Sequence, residues 1–357
     1  MKRPPELFTV VGARPQFIKA SAVSPELKRL GIKETLIHTG QHFDPEMSDV
    51  FFSELKMDPP AWHLGIHSLS HAAMTGKMMI AVEEILLSQK PDGMLVYGDT
   101  NSTLAGALAA VKCGIPVFHV ESGLRSDNFA LPEEINRQIV DKISDLLFCP
   151  TPAAVKNLEA EGVGRRNEKI IFSGDVMYDL ALKFSPPDPP KSQKKTILAT
   201  FHRSTNISDK KAFLGIIDAL NQLAESFEVL APLHPRTSFT LRQGKYPTRF
   251  QILPPQSYFS ILSLIKEADV VLTDSGGLQK EACFCGRMTG ILRNETEWTE
   301  LVSYGAAILL GTEKVNIVEG TKRLLKTTFP GVPPGFGNGN AAQIIAEEIH
   351  SFLNGKV

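Results

Sequence analysis

Short apolar runs that stop at a glycine or a polar turn, each followed by a helical pattern, recur along this chain and leave few folds open. Residues 7–11, 34–38, 93–97, 116–120, 146–149 and 170–173 make one such series. The runs are apolar throughout, without the alternation of a half-exposed strand, so they predict a parallel sheet covered by helices on both faces. The stretch Ser185-Pro186-Pro187-Asp188-Pro189-Pro190-Lys191 then breaks the pattern. Proline lacks the N–H that a helix or sheet interior needs, so this is the expected linker. Beyond it the alternation restarts at 196–200, 228–232, 251–253, 269–273, 288–292 and 306–310. At 357 residues the chain is too long for one ordinary core. The expected architecture is α/β: two Rossmann-like domains facing a central cleft, at 1–184 and 195–340, joined by a linker at 185–194. An amphipathic helix within 341–357 follows a Pro/Gly loop long enough to let it dock on the first domain.

Composition narrows the partners. Lys and Arg number 38 against 39 Asp and Glu, so no general nucleic-acid or anionic-membrane surface is expected, and any anion must be held by local groups. There is no run of eighteen apolar residues, and Arg14 interrupts the first apolar segment too early for a signal peptide, which leads to the expectation of a cytoplasmic protein without a membrane partner. Cys113, Cys149, Cys283 and Cys285 contain no CxxC pair and read as buried thiols. The histidines show no HExxH spacing; His63, His67 and His71 fit a loop running into a helix start, and no metal is expected.

The stretch 98–137 gathers acidic groups. One apolar run stops at Gly98-Asp99-Thr100 and the next at Glu121-Ser122-Gly123. If both are parallel strands of one sheet, Asp99 and Glu121 share the carboxyl edge where open α/β sheets bind ligands. Glu133 follows Pro132, which suits a first helical position, so one loop separates it from Glu121. Singly, each acid could be an ordinary helix cap. Grouped carboxylates shift one another's pKa values, and one site can then hold a base and an acid at neutral pH.

In the second half, Asp274-Ser275-Gly276-Gly277 follows a strand and opens a helix. Backbone N–H groups at a helix start are unpaired and partly positive; two glycines let a diphosphate approach them, and Ser275 adds a hydroxyl. Glu281, one turn later, could accept from ribose hydroxyls. The pattern is not GxGxxG and asks for no nicotinamide. A simple capped helix is the competing reading. Arg14 and Lys19, from the first strand-turn-helix, could fork onto or point at anionic oxygens. His202-Arg203 and His234-Pro235-Arg236 end adjacent strands of the second half and would form one wall of a cleft.

Together these residues make the chain resemble the non-hydrolysing UDP-N-acetylglucosamine 2-epimerase family over essentially its whole length. The resemblance is carried by GARPQFIK (12–19), TGQH (39–42), GDTNST (98–103), HVESGLRS (119–126), PEEINR (132–137), HR (202–203), HPRT (234–237), DSGGLQKE (274–281) and RNETEW (293–298). It implies a GT-B fold, a homodimer, a UDP-sugar substrate and no cofactor or metal. It implies, further, that UDP leaves C1 as the C2 proton is removed, and that UDP re-adds to the bound 2-acetamidoglucal after a proton arrives on the opposite face. Carried over by motif, Asp99, Glu121 and Glu133 are the acid/base set and His202 assists the departing phosphate. Arg14, Lys19, Arg125, Arg203, His234, Ser275, Gly276, Gly277 and Glu281 are the implied substrate contacts, and Gln41 and His42 an activator loop.

The chain also departs from the family. GQHFDPEM replaces a shorter basic version at the activator loop, Thr205 stands where many relatives have an acid, and Glu297-Trp298-Thr299-Glu300 replaces the commoner arginine-proline-glutamate run. Glu-Trp versions resemble the branch acting on UDP-2,3-diacetamido-2,3-dideoxyglucuronate in surface-polysaccharide pathways. The readings are therefore interconversion of UDP-N-acetylglucosamine and UDP-N-acetylmannosamine, the same reaction on that uronate, or, from a different class, a GT-B glycosyltransferase or a catalytically silent nucleotide-sugar binder.

Overall fold

The computed structural model describes residues 3–41, 57–126, 128–165, 167–190 and 194–355. These divide into two compact units, Met1–Asp179 with Gly335–Val357, and Leu180–Pro334. The first crossing falls inside the helix Val176–Phe184, ahead of the proline-rich stretch.

In the first unit β1 (Glu6–Val11), β2 (Lys33–His38), β3 (Trp62–His63), β4 (Gly93–Tyr97), β5 (Val117–Val120), β6 (Leu146–Cys149) and β7 (Lys169–Phe172) form one sheet in the order β3-β2-β1-β4-β5-β6-β7. Every pairing is parallel. The strand period of two sends Leu7, Val11, Leu95, Tyr97 and Phe118 to one face, against Phe17 and Val23 of the helix Arg14–Arg29. Phe8, Val10, Met94, Val96 and Val117 go to the other, against Val82 and Leu86 of the helix His71–Gln89 and Ala107 and Ala110 of the helix Asn101–Lys112. The small residues of that last helix let it pack close. A Cβ on Gly106 would already stand 3.0 Å from the Val10 side chain.

β3 was not expected from sequence. It is a two-residue edge strand without an apolar run, held in part by His63 stacking on His38 at 4.2 Å between ring centroids. His63, His67 and His71 thus lie in a strand, a loop and a helix start, and share no helical face.

The second unit repeats the plan. β8 (Thr196–Thr200), β9 (Glu228–Pro232), β10 (Gln251–Leu253), β11 (Val270–Thr273), β12 (Met288–Ile291) and β13 (Ala307–Leu309) pair in the order β10-β9-β8-β11-β12-β13. Ile197, Ala199, Val229, Ala231 and Leu272 share a buried core with Phe213, Ile216 and Leu220 of the helix Lys210–Leu223. The chain then returns to the first unit in the helix Ala341–Asn354. Its first N–H groups, Ala341 and Ala342, donate to the Asp179 carboxyl at 3.1 and 2.8 Å, and Ile345 and Ile349 are fully buried. Burying each isoleucine contributes about 2 kcal/mol before entropy is counted.

Both sheets reverse strand order at one point, between β1 and β4 and between β8 and β11. Successive crossovers leave in opposite directions there, which opens a crevice at the strands' carboxyl ends. No helix among the described residues is long and apolar enough to cross a membrane.

Candidate active site

At the first switch point the turn after β1 needs glycine for room. A Cβ on Gly12 would lie 2.0 Å from Thr39 Oγ1 and 2.2 Å from Ser102 Oγ. Gln41 belongs to the same cluster, its Oε1 accepting from Ser102 N and Oγ at 3.0 and 2.7 Å. His42 lies outside the described residues. Gln16, which the sequence reading passed over, ties the two turns together. Its Oε1 accepts from Gly12 N and Ala13 N at 2.8 and 3.0 Å, and its Nε2 donates to Tyr97 O and Thr103 Oγ1, each at 2.9 Å. Gln16→Met keeps the volume and orphans two buried N–H groups, so thermal or urea unfolding should show a loss of about 2 kcal/mol. A loss below about 0.5 kcal/mol would deny the glutamine this role.

Asp99 and Glu121 follow β4 and β5, whose register pairs Tyr97 with Val120. The Lys19 ammonium is bound to Glu121 Oε2, with only 8% of the lysine side chain and 14% of the glutamate exposed. Glu121 adopts φ +70°, a left-handed conformation that costs a non-glycine residue roughly 1–2 kcal/mol. Its N–H and that of Ser122 both donate to Phe148 O at 3.1 Å, which holds the carboxylate-bearing turn in place.

The helix Pro132–Ile143 braces Asp99. Asn136 Nδ2 donates to the Asp99 carbonyl at 2.8 Å, and Arg137 Nη2 to the Asp99 carboxylate. Arg137 Nη1 also reaches Glu134 Oε2 at 2.9 Å, and that oxygen accepts from Ser126 N and Oγ, both at 3.0 Å. The two glutamates of PEEINR therefore part company: Glu133 is exposed in the first turn, and Glu134 is fully buried as a brace. Burial pushes the Asp99 carboxyl above the usual carboxylate range. Arg137 and Lys19 pull it down, while Glu121 and Glu133 push it up. Asp99 thus senses both other acids.

Arg125, expected as a substrate contact, has internal partners, and only 7% of its side chain is exposed. Its Nε and Nη2 grip Glu161 at 2.6 and 2.8 Å, and its Nη1 serves Leu124 O at 2.7 Å and Asp141 Oδ2 at 2.8 Å. Arg125 clamps the loop after β5 internally.

In the second unit the fully buried Asp274 organises the turn after β8. It accepts from His202 N at 3.0 Å, Arg203 N at 3.0 Å and Asn206 Nδ2 at 2.9 Å. The His202 ring stays half-exposed with Nδ1 3.5 Å from Asp274. Ser275 caps the helix Gly276–Phe284, accepting from Leu278 N at 3.4 Å. A Cβ on Gly276 would lie 2.1 Å from Glu297 Oε1, whereas one on Gly277 would only touch Ser275 Oγ at 4.0 Å. Glu297 accepts from Arg293 at 2.8 Å and Arg203 at 3.4 Å; burial opposes its ionised form, but Arg293 and Arg203 hold it below the usual range. Beside it Trp298 is buried under the Lys280 ammonium, 3.9 Å from the ring centroid. Glu281 lies buried on the same helix. His234 caps the helix Pro235–Gln243, its Nδ1 accepting from Arg236 N at 3.2 Å. Arg14 opens the helix after β1.

Cys149, Cys283 and Cys285 are buried free thiols, and burial pushes Cys149 and Cys283 up to about 12. Among the described residues no cluster of His, Cys, Asp and Glu could hold a metal ion.

Residues 26–350 match the family described as UDP-N-acetylglucosamine 2-epimerase. The chain is similar to the UDP-2,3-diacetamido-2,3-dideoxy-D-glucuronate 2-epimerase of Pseudomonas aeruginosa, 44% identical over 348 residues, which span 96% of this chain and 98% of the relative. The UDP-N-acetylglucosamine 2-epimerase of Methanocaldococcus jannaschii is 36% identical over 359 residues, covering 95% and 97%. The crystal structure of a Methanocaldococcus jannaschii UDP-GlcNAc 2-epimerase in complex with UDP-GlcNAc and UDP superposes with a TM-score of 0.87 at 35% identity, over 96% of this chain and 99% of that one.

Proposed function

Because this chain belongs to the UDP-N-acetylglucosamine 2-epimerase family, isomerases that invert C2 of a UDP-linked sugar, we propose that Asp99, Glu121 and Glu133 carry its proton transfers. The observation that supports this most is the inequality of the carboxylates. Glu121 faces an ammonium, Asp99 is pushed toward its protonated form by burial and by its acidic neighbours, and Glu133 stands at the solvent edge. One site can then keep a proton on one carboxyl while another has lost it. In the forward direction a carboxylate takes the C2 proton, the C2–H electrons form the C1–C2 double bond, and the C1–O bond breaks to release UDP. A proton delivered to the other face of C2, with return of the diphosphate oxygen to C1, gives the epimer. Within the second unit, the N-terminus of the helix Gly276–Phe284 and the Ser275 hydroxyl are donors suited to a diphosphate, and His202 is the neighbouring group suited to a phosphate oxygen.

For the sugar, two features favour UDP-2,3-diacetamido-2,3-dideoxyglucuronate over UDP-N-acetylglucosamine: the higher identity to the Pseudomonas aeruginosa relative, and the Trp298 segment. Both substrates should be offered in deuterated water with C2 followed by NMR. The expected result is an epimer labelled at C2, with kcat/KM higher for the uronate by at least about tenfold, the worth of one well-made polar contact. Product without deuterium at C2 would end the elimination mechanism. Equal or better turnover of UDP-N-acetylglucosamine would reverse the substrate assignment.

A further inference from the structure

One buried group beside Asp99 takes no part in the proton transfers just described. His119 lies in the middle of β5 with no exposed surface. Its Nδ1 is 2.8 Å from Asp141 Oδ1, and its Nε2 is 2.8 Å from the Gly98 carbonyl oxygen. A carbonyl oxygen can only accept, so Nε2 carries hydrogen. On the other side Asp141 is an acceptor as well: its Oδ2 receives Gly123 N at 3.1 Å and Arg125 Nη1 at 2.8 Å. Burial raises its pKa, but the His119 and Arg125 contacts outweigh that and hold it below the usual range. Nδ1 faces Asp141 Oδ1, and this contact keeps the Nε2 hydrogen directed at the Gly98 carbonyl. Asp141 is shared between His119 and Arg125, and Arg125 in turn grips Glu161.

We propose that His119 and Asp141 are positioning residues for Asp99, acting through the Gly98 carbonyl and without touching the sugar. The Gly98 and Asp99 carbonyls are pinned in succession, one by His119 Nε2 and the other by Asn136 Nδ2 at 2.8 Å. The pinning matters because Gly98 sits at φ +62°, in a turn with little intrinsic preference for one geometry. A single helix supplies three of the constraints: Asn136, Arg137 and Asp141 all belong to Pro132–Ile143, and they reach the Asp99 carbonyl, its carboxylate and, via His119, the preceding peptide. The charged groups around the ring are Asp141, backed by Arg125 and Glu161, and, past Gly98, the Asp99–Arg137 and Lys19–Glu121 pairs.

The inference rests on the acid/base role given to Asp99, and its test separates the two. Nitrogen-15 spectra of the histidine rings in the full, unaltered chain should show Nε2 of His119 bearing hydrogen; a bare Nε2 overturns the assignment. In Asp141→Asn the carboxylate that orients the His119 ring is replaced by an amide, and kcat for epimerisation should fall by about 10–100-fold with KM within about threefold, since misplacement of a reacting group on the scale of an ångström costs that much. The inflection of the pH–rate profile that vanishes in Asp99→Asn should also move. A folded Asp141→Asn with the parent's kcat and profile overturns the proposal. If that variant does not fold, the ring spectrum of the unaltered protein decides. Full activity in Asp99→Asn would remove the acid/base reading and leave the ring assignment standing.

Discussion

Asp99→Asn should lower kcat for C2 epimerisation by about two to four orders of magnitude, the usual contribution of a positioned acid or base, and leave UDP affinity and melting temperature close to the parent's. The substitution keeps the shape of the side chain and a partner for Arg137, so the brace on that turn survives while the proton-carrying oxygen is lost. A companion variant tests the electrostatics. Arg137 pulls the Asp99 carboxyl down against its burial, so Arg137→Gln should let that carboxyl rise further and carry the corresponding inflection of kcat/KM to higher pH. An inflection that stays, or moves to lower pH, is incompatible with the pairing. Residual turnover in Asp99→Asn above about a tenth of the parent's would remove Asp99 from the chemistry.

Asp274→Ala should destabilise the second unit by about 3–5 kcal/mol, the cost of stripping a buried anion from the donors built around it. His202 N, Arg203 N and the Asn206 amide converge on one carboxylate with no exposed surface. Without it the turn that carries His202 and Arg203 has no anchor, and UDP binding measured by calorimetry should weaken by at least about tenfold. The two readouts separate scaffold from ligand contact. A stable Asp274→Ala protein with intact UDP affinity would contradict both halves of this account.

The strand series was legible because parallel strands buried on both faces must be apolar at every position, a local property that a one-dimensional reading detects. The runs 93–97, 146–149, 196–200, 228–232 and 251–253 coincide with β4, β6, β8, β9 and β10. Trp62–His63 carried no such mark, because a two-residue edge strand owes its existence to its neighbour. The switch-point acids were legible for a related reason. A polar residue directly after an apolar strand has one place to go, the carboxyl edge of the sheet.

Partnership was not legible. Nothing in PEEINR tells which of two adjacent glutamates is buried, because that depends on where the helix Pro132–Ile143 lands against Ser126 and Asp99. Arg125 reads as a free guanidinium until Asp141 and Glu161, 16 and 36 residues further along, take its donors. Gln16 and His119 looked like ordinary members of a helix and a strand, and became hinges of the site when Gly12, Tyr97, Gly98 and Asp141 were brought beside them. Apolar periodicity and turn chemistry are written residue by residue, so the amino-acid order alone set the α/β class, the strand edges and the acids that follow them. The protonation and restraint of those acids arise from low-dielectric contacts between segments far apart in the chain, and only the folded arrangement decides such contacts.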